Sequence, residues 1–144
     1  MAIFGIEINW WHGLTDFLTI TFAYLLALPI GWHRLREERG IGLRTYPLVA
    51  IASCTFLLVG EAMTGNPKAD PRLIQGLMTG IGFLGAGAIL KKGKRIQGIA
   101  TAASIWSTAA MGAAVAYHNY ELAVILSAVT FVTLRWFPPP LSAE

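Results

Sequence analysis

The feature that most constrains the fold is the stretch from Leu73 to Leu90, which has no charged residue over 18 positions. It carries glycines at positions 76, 80, 82, 85 and 87. In a water-soluble helix each glycine costs about 1 kcal/mol relative to alanine. In a membrane, where backbone groups must be satisfied within the helix, small residues instead let helices approach closely. The pattern predicts a membrane helix rather than a soluble one.

The composition of the whole chain supports a membrane protein. Of its 144 residues 55% are hydrophobic and only 13% are charged, and the mean hydropathy is +0.57. A soluble domain has about 25% charged residues. The net charge of +3 does not indicate nucleic-acid binding, because the basic residues stand in short clusters between apolar segments. The one cysteine, Cys54, lies in an apolar segment and offers no intrachain disulfide, and we expect no secretory signal peptide, since the first basic residue is Arg34.

Five apolar segments are each long enough to cross a hydrocarbon core of about 30 Å. They predict an all-α fold: an integral membrane bundle of five transmembrane helices forming a single domain over residues 1–144. We expect spans over 14–32, 46–64, 73–90, 99–117 and 121–137, with the third and fourth at the centre. Residues 1–13 are expected to lie along the membrane surface.

Basic residues predict the orientation. Nine fall on one side of the predicted spans, against two, Lys68 and Arg72, on the other. Basic residues are enriched in cytoplasmic loops. We therefore expect a multi-pass membrane protein with its N-terminus outside and its C-terminus in the cytoplasm.

Small residues predict how the helices pack. In the third span Gly76, Gly80 and Gly87 share a face, and in the fourth a small residue recurs every four positions (Ala100, Ser104, Thr108, Gly112, Ala116). We expect these two faces to meet. Other small residues of the two spans lie off those faces, and we expect a homodimer through them: Gly82, Gly85, Ala86, Ala102, Ala109 and Ala113.

Carboxylates near the outer ends of the spans are candidate metal ligands. Mg²⁺ keeps most of its waters and needs only one or two carboxylates. The candidates are Asp16, Glu61, Asp70 and Glu121, although their spacing does not show that they converge. The alternative is an ion pair of Arg72 with Glu61 or Asp70 that neutralises shallow charges.

At the inner end, His33, Arg34 and Arg44 form a charged cluster beside the first and second spans. Such residues set topology and attract anionic membrane lipid, which accounts for most of them. Arg44, which directly precedes Thr45 and the second span, is the strongest candidate for a more specific role. The serines and histidines have no spacing typical of a catalytic triad or a metal site, so no enzyme and no resident cofactor other than Mg²⁺ is expected.

Three motifs resemble those of the MgtC/SapB membrane proteins, which are associated with magnesium limitation and bacterial virulence. They are GLRT at 42–45, Arg72 followed by TGIGFLGAGAIL at 79–90, and GIATAASIWSTAAMG at 98–112. The resemblance covers about residues 31–134. It implies a bacterial inner-membrane protein with five transmembrane helices and the C-terminus inside, and the charge count also predicts that orientation.

The chain departs from the family pattern at three points. His33 stands where the family usually has a glutamate, and Asp70 lies two residues before Arg72 where the family tends to have three. Many members carry an ACT-like domain after the fifth helix, and the sequence ends at Glu144 without one. Functions that need that domain do not transfer.

Two functional hypotheses remain. The resemblance implies a regulatory protein that binds other membrane proteins, such as the proton ATP synthase. The family's link to magnesium suggests instead a transporter of Mg²⁺ or another cation. The sequence slightly favours regulation, because a cation path needs acidic residues at mid-membrane and the predicted third and fourth spans contain none.

Overall fold

A computed structural model describes residues 2–3, 6–7, 10–37, 42–64, 71–92 and 95–137. Five helices dominate this part of the chain: α1 (Trp10–Glu37), α2 (Thr45–Thr64), α3 (Pro71–Ala88), α4 (Ile99–Ala116) and α5 (Tyr120–Trp136). Two short antiparallel strand pairs accompany them. Strand β1 (Ala2–Ile3) pairs with β2 (Ile6–Glu7), and β3 (Leu90–Lys92) pairs with β4 (Arg95–Gln97).

The sequence predicts the number and order of helices correctly, with differences at the ends. Helix α1 has 28 residues and continues through Pro29 to Glu37, beyond the predicted end at Trp32. The glycine-rich α3 is one continuous helix. The basic connection over 91–98 contains the β3–β4 strand pair. Strands β1 and β2 form within residues 1–13, and α1 already begins at Trp10, while the position of this segment along the membrane surface stays a prediction.

The centre of the bundle is α4, which packs against each of the other four helices. Helix α3 lies at the edge: it packs mainly along α4 and meets α2 over a shorter length. The prediction that spans three and four share the centre is therefore wrong for α3. The reason is that the small face of α4 is used against α2, which leaves α3 a lateral position.

The interior is built from small residues. A Cβ on Gly112 of α4 would overlap the carbonyl oxygen of Ala50 in α2, so these helices touch backbone to backbone. Alanine, serine and threonine account for much of the remaining core, including Ala23, Ala27, Ala109, Ala123, Ser104 and Thr108. Small residues are typical of helix interfaces in membranes, where close packing replaces the hydrophobic driving force.

Large apolar side chains face outward instead. Phe17, Phe56 and Phe83 are 64%, 68% and 81% exposed, and Trp106 and Trp136 also lie on the surface. An apolar surface this extensive is unstable in water and matches a lipid environment. Within the described ranges, three helical segments are long and apolar enough to cross a membrane: 10–36, 45–63 and 99–116.

The glycines of α3 do not pack as expected. A Cβ on Gly76, Gly80, Gly82 or Gly87 would meet no atom within 4 Å, whereas one on Gly85 would lie 3.7 Å from Ala102 of α4. The prediction that the Gly76–Gly80–Gly87 face meets α4 is thus wrong, because Ile81 and Gly85 turn toward the bundle. The spacing of small residues shows which face of a helix carries them, but not which other helix packs against that face.

These contacts predict opposite effects on stability when two of the glycines are replaced by leucine. Gly112→Leu should strongly lower thermal stability in detergent, since its side chain would collide with Ala50, and overpacking costs about 1–3 kcal/mol. Gly80→Leu should leave stability unchanged or slightly higher, because the position is open. Equal melting temperatures for the two variants would contradict the α2–α4 contact.

Candidate functional site: the buried network around Arg34

A buried arginine stands near the C-terminal end of α1. Arg34 is only 3% exposed, and its Nη2 donates a hydrogen bond to the hydroxyl of Thr101, which is fully buried in the first turn of α4. Burying a guanidinium is expensive unless its donors are satisfied. This contact therefore fixes the end of α1 against the beginning of α4.

Hydroxyl groups extend this network into α2 and along α4. Ser104 Oγ donates to the backbone oxygen of Thr101 at 2.9 Å. Since that bond uses the one hydroxyl proton of Ser104, the Tyr46 hydroxyl, 2.8 Å away, donates to Ser104 Oγ. Thr108 Oγ1 in turn donates to the Ser104 backbone oxygen at 2.8 Å. Tyr46 is fully buried, so α1, α2 and α4 meet at one polar cluster.

Two glycines bring Arg34 and Tyr46 to the same place. A Cβ on Gly42 would lie 2.8 Å from the Cα of Leu35, and one on Gly31 would lie 3.3 Å from the Gly42 backbone oxygen. The segment before α2 thus presses against the end of α1, and the backbone N–H of Thr45 bonds to Gly42 at 3.1 Å. Larger side chains at these glycines would move Tyr46 away from the network.

His33 connects α1 to α5. Its Nε2 lies 2.9 Å from the backbone oxygen of Leu134, and because a carbonyl only accepts, Nε2 carries the proton. The imidazole also packs edge-on against Phe131, with ring centroids 6.0 Å apart. His33 thereby donates a hydrogen bond to the neighbouring helix.

Further hydroxyls join α5 to the bundle. Ser127 Oγ donates to the backbone oxygen of Leu26 in α1 at 2.7 Å, and the Ser107 and Thr130 hydroxyls pair at 2.5 Å between α4 and α5. Ser127 and the Ser107–Thr130 pair are therefore used for bonds between helices. This use favours a structural rather than a catalytic role for them.

Two other charged residues that the sequence singles out, one predicted at the inner end and one at the outer end, lie outside this network. Arg44 is exposed just before α2, and Arg72 is exposed in the first turn of α3, at the opposite end of the bundle from Arg34. The structure brings Arg34 and His33 into the helix contacts but leaves Arg44 outside them. The specific role that the sequence analysis favoured for Arg44 remains a prediction.

The candidate metal ligands are placed apart from this network. Glu61 is half-buried near the end of α2, and Asp16 and Glu121 are exposed near the beginnings of α1 and α5. Asp70 lies outside the described residues. Within the part of the chain that the structure describes, no three His, Cys, Asp or Glu side chains form a group able to hold a metal ion.

Two members of the network are missing from the site residues predicted from sequence. Thr101 lies within the GIATAAS motif, and Tyr46 appears in the sequence as an aromatic residue at the membrane boundary. Nothing local marks either as a partner of Arg34, since Thr101 is 67 positions away in the chain. The sequence does contain one indication, the glycines Gly31 and Gly42, which favour a close approach of two backbone segments near Arg34 and Tyr46.

The apolar exterior, the small-residue interior and the buried hydroxyl network together define a helical membrane protein. The MgtC family model matches residues 20–141, and the chain belongs to the MgtC family. It is 37% identical over 139 residues to Protein SrpB of Synechococcus elongatus, covering 85% of this chain and 76% of that protein. No solved structure gives a significant match.

Two further relatives have names that refer to magnesium or to the family. The Putative magnesium transporter YhiD of Escherichia coli is 36% identical over 127 residues, which cover 83% of this chain and 59% of YhiD. Protein MgtC of Salmonella typhimurium is 40% identical over 95 residues, covering 66% of this chain and 40% of that protein. The chain thus spans between about two fifths and three fifths of these two relatives.

A substitution at Thr101 tests how much the buried network contributes to stability. Thr101→Val should lower stability by about 1.5–3 kcal/mol, the range for hydrogen bonds to charged groups, because it removes a partner of Arg34. Thr79→Val is the matched control, since Thr79 is exposed and bonds only to the Gln75 backbone of its own helix. Urea or thermal unfolding in detergent gives both values. Equal small losses for both variants would contradict the buried network.

Proposed function

We propose that this chain is a magnesium-linked regulatory protein of the bacterial inner membrane that acts by binding other membrane proteins. All five helices cross the membrane in this proposal, as one domain with the N-terminus outside and the C-terminus in the cytoplasm. The lengths of α3 and α5, 18 and 17 residues, support spans like those of the other three. The nine-to-two distribution of basic residues supports the orientation.

The observation that carries the proposal is the chemistry of the interior. Among the described residues, the buried polar side chains are hydroxyls and one arginine: Thr19, Arg34, Ser53, Thr101, Ser104, Thr108 and Ser127. A path for Mg²⁺ needs oxygen ligands and negative charge at membrane depth. The buried guanidinium of Arg34 instead repels a cation, and its neighbours are closely packed. This arrangement favours a regulator over a transporter.

Transport is the second candidate, and the name of the relative YhiD supports it. The two functions differ in a direct assay. Purified protein in liposomes containing a magnesium-sensitive dye should give no more Mg²⁺ entry than protein-free liposomes, with an ionophore as the positive control. Protein-dependent, saturable entry would contradict regulation without transport. Loss of that entry in Glu61→Gln would then point to the outer carboxylate.

The partner surface in this proposal is a shallow groove between α3 and α4, which we call the α3–α4 groove. Its volume is about 640 Å³, and small residues line much of it: Gly82, Gly85, Ala86, Ala102, Ala103 and Ala110. Such a surface lets a further helix approach closely. Ala109 is buried within the bundle, so it belongs to the protomer's own packing rather than to this surface. A homodimer or a complex with a protein such as the ATP synthase would use this groove.

Photocross-linking in native membranes tests this surface. A photoreactive residue at position 103 should give a product of twice the protomer mass, or one that contains another membrane protein. The control is position 128, an exposed alanine of α5 that does not line this groove. Equal cross-linking from both positions, or none from position 103, would contradict the proposed partner surface.

A further inference from the structure

A cavity of about 740 Å³ lies between α2 and α3, and we call it the α2–α3 cavity. Its described lining residues come from these two helices alone. The helices touch at one end of it, where the side chain of Leu73 covers the backbone at Gly60. Beyond that end, a Cβ on Gly76 or Gly80 would meet no described atom within 4 Å. The pair of helices is therefore closed at one end and open along the rest.

The contact between Gly60 and Leu73 sets a register for the whole pair. Because α3 begins beside the end of α2, the helices are antiparallel, and each step back along α2 from Gly60 corresponds to one step forward along α3 from Leu73. Ten of the fourteen lining residues match one to one in this register. The facing pairs are Leu57 with Gly76, Phe56 with Leu77, Ser53 with Gly80, Ala52 with Ile81 and Val49 with Leu84.

The facing residues are complementary in size. Leu57 faces a glycine, and Ile81 faces an alanine, so a large side chain on one helix has a small residue opposite it. Ser53 and Gly80 are both small, which allows two helix backbones to approach closely. The lining thus has the pattern of a helix interface that is formed only at its first contact.

The hydroxyl of Ser53 gives an independent indication. Ser53 is 1% exposed, and its Oγ has no hydrogen-bond partner among the described residues. A buried hydroxyl without a partner is costly. Gly80, which faces Ser53 in the register, has no side chain to cover the backbone of α3. Closer approach of α3 would therefore bring a backbone carbonyl within reach of this hydroxyl.

Helix α3 is packed loosely between its two ends. On the α4 side, a Cβ on Gly85 would fit at 3.7 Å from Ala102, so no tight backbone contact holds the helix there. A tight contact is found at the C-terminal end, where Gly98 lies against the carbonyl oxygen of Ala88. Gly98 has a φ of 87°, a conformation that glycine adopts freely, so the turn at this position can follow a change in the tilt of α3.

We propose that α3 has a second position, in which it closes onto α2 along this register with Gly80 against Ser53. In the closed position the α2–α3 cavity is filled by the facing side chains, and the Ser53 hydroxyl donates to the backbone of α3. The structure shows the open position. The proposal does not depend on whether the chain regulates or transports.

Closure also affects the opposite side of α3. Movement toward α2 takes Gly85 away from Ala102, both of which line the α3–α4 groove, and so widens that groove. Where the groove is the partner surface, as in the proposed function, the position of α3 controls access to it. A ligand that favours one position shifts the population of the two.

Disulfide cross-linking in native membranes tests the closed position. The variant carries Ser53→Cys and Gly80→Cys in a Cys54→Ala background, which removes the natural cysteine. A disulfide needs Cβ atoms about 3.8 Å apart. In the open position no described atom lies within 4 Å of a Cβ at position 80, so the bond reports closure. We expect an intramolecular disulfide on mild oxidation, seen as a protomer that no longer reacts with a thiol reagent.

The matched control pairs Ser53→Cys with Gly87→Cys. Gly87 is equally open, but it does not line the cavity and lies two turns, about 10 Å, further along α3. This pair should stay reduced under the same conditions. Equal disulfide formation in both pairs would indicate general mobility of α3 and would overturn the proposed register.

A blocking substitution separates closure from local fluctuation. Gly76→Leu fits the open position but meets Leu57 in the closed one, so it should slow formation of the 53–80 disulfide about ten-fold or more. Gly87→Leu is the control and should leave the rate unchanged. Thermal stability measured on each variant identifies any that fails to fold, and Leu57→Trp is then the substitute for Gly76→Leu.

Three further results would overturn the proposal. One is no disulfide from the 53–80 pair in membranes, including the case in which it forms only in detergent, because lipid then holds the helices apart. Another is an unchanged rate in Gly76→Leu. The third is a product of twice the protomer mass, which would assign this face to a second copy. Absence of cross-links from position 103 would leave the disulfide result unaffected, so this proposal and the proposed partner surface fail separately.

Discussion

The structure depends on the contact between the buried guanidinium of Arg34 and the hydroxyl of Thr101. Helices in a membrane gain little from burying apolar side chains, because lipid is equally apolar. What holds them together is close packing of small residues and hydrogen bonds between helices. Gly112 against Ala50 supplies the first, and the chain of bonds from Arg34 through Thr101 and Ser104 to Tyr46 supplies the second. Three of the five helices meet at that network.

The same contact constrains function. A positive charge fixed at one end of the interior opposes the passage of Mg²⁺, and the described interior offers it no carboxylate. The surfaces available to other molecules therefore lie on the outside, on both sides of α3. On one side the α3–α4 groove has the small residues that a helix requires. On the other, a cavity of about 740 Å³ with a mostly apolar lining lies between α2 and α3. The lateral position of α3 leaves glycines accessible on both of its flanks.

The helices themselves could be predicted from the sequence, because apolar segments of nearly 20 residues between charged or turn-forming connections have few alternatives. The position of α3 within the bundle could not be predicted from the sequence. Gly76 and Gly80 have the same sequence pattern whether they face a helix or an open cavity, and only the tertiary structure shows the cavity. Similarly, Arg34 and Arg44 are both arginines near the end of a predicted span, yet one is buried and the other exposed. The partner of Arg34 is 67 residues away, a separation that local patterns do not bridge. The metal-ligand hypothesis for Asp16, Glu61, Asp70 and Glu121 remains a prediction.

The central claim is that Arg34 and Thr101 form one interaction that joins α1 to α4. A double-mutant cycle measures this directly, by comparing the unfolding free energies of Arg34→Met, Thr101→Val, the double variant and the unaltered protein in the same detergent. We expect a coupling energy of about 1–3 kcal/mol, as found for residues in one hydrogen-bonded network. Additivity within about 0.5 kcal/mol, the value for independent sites, would contradict it.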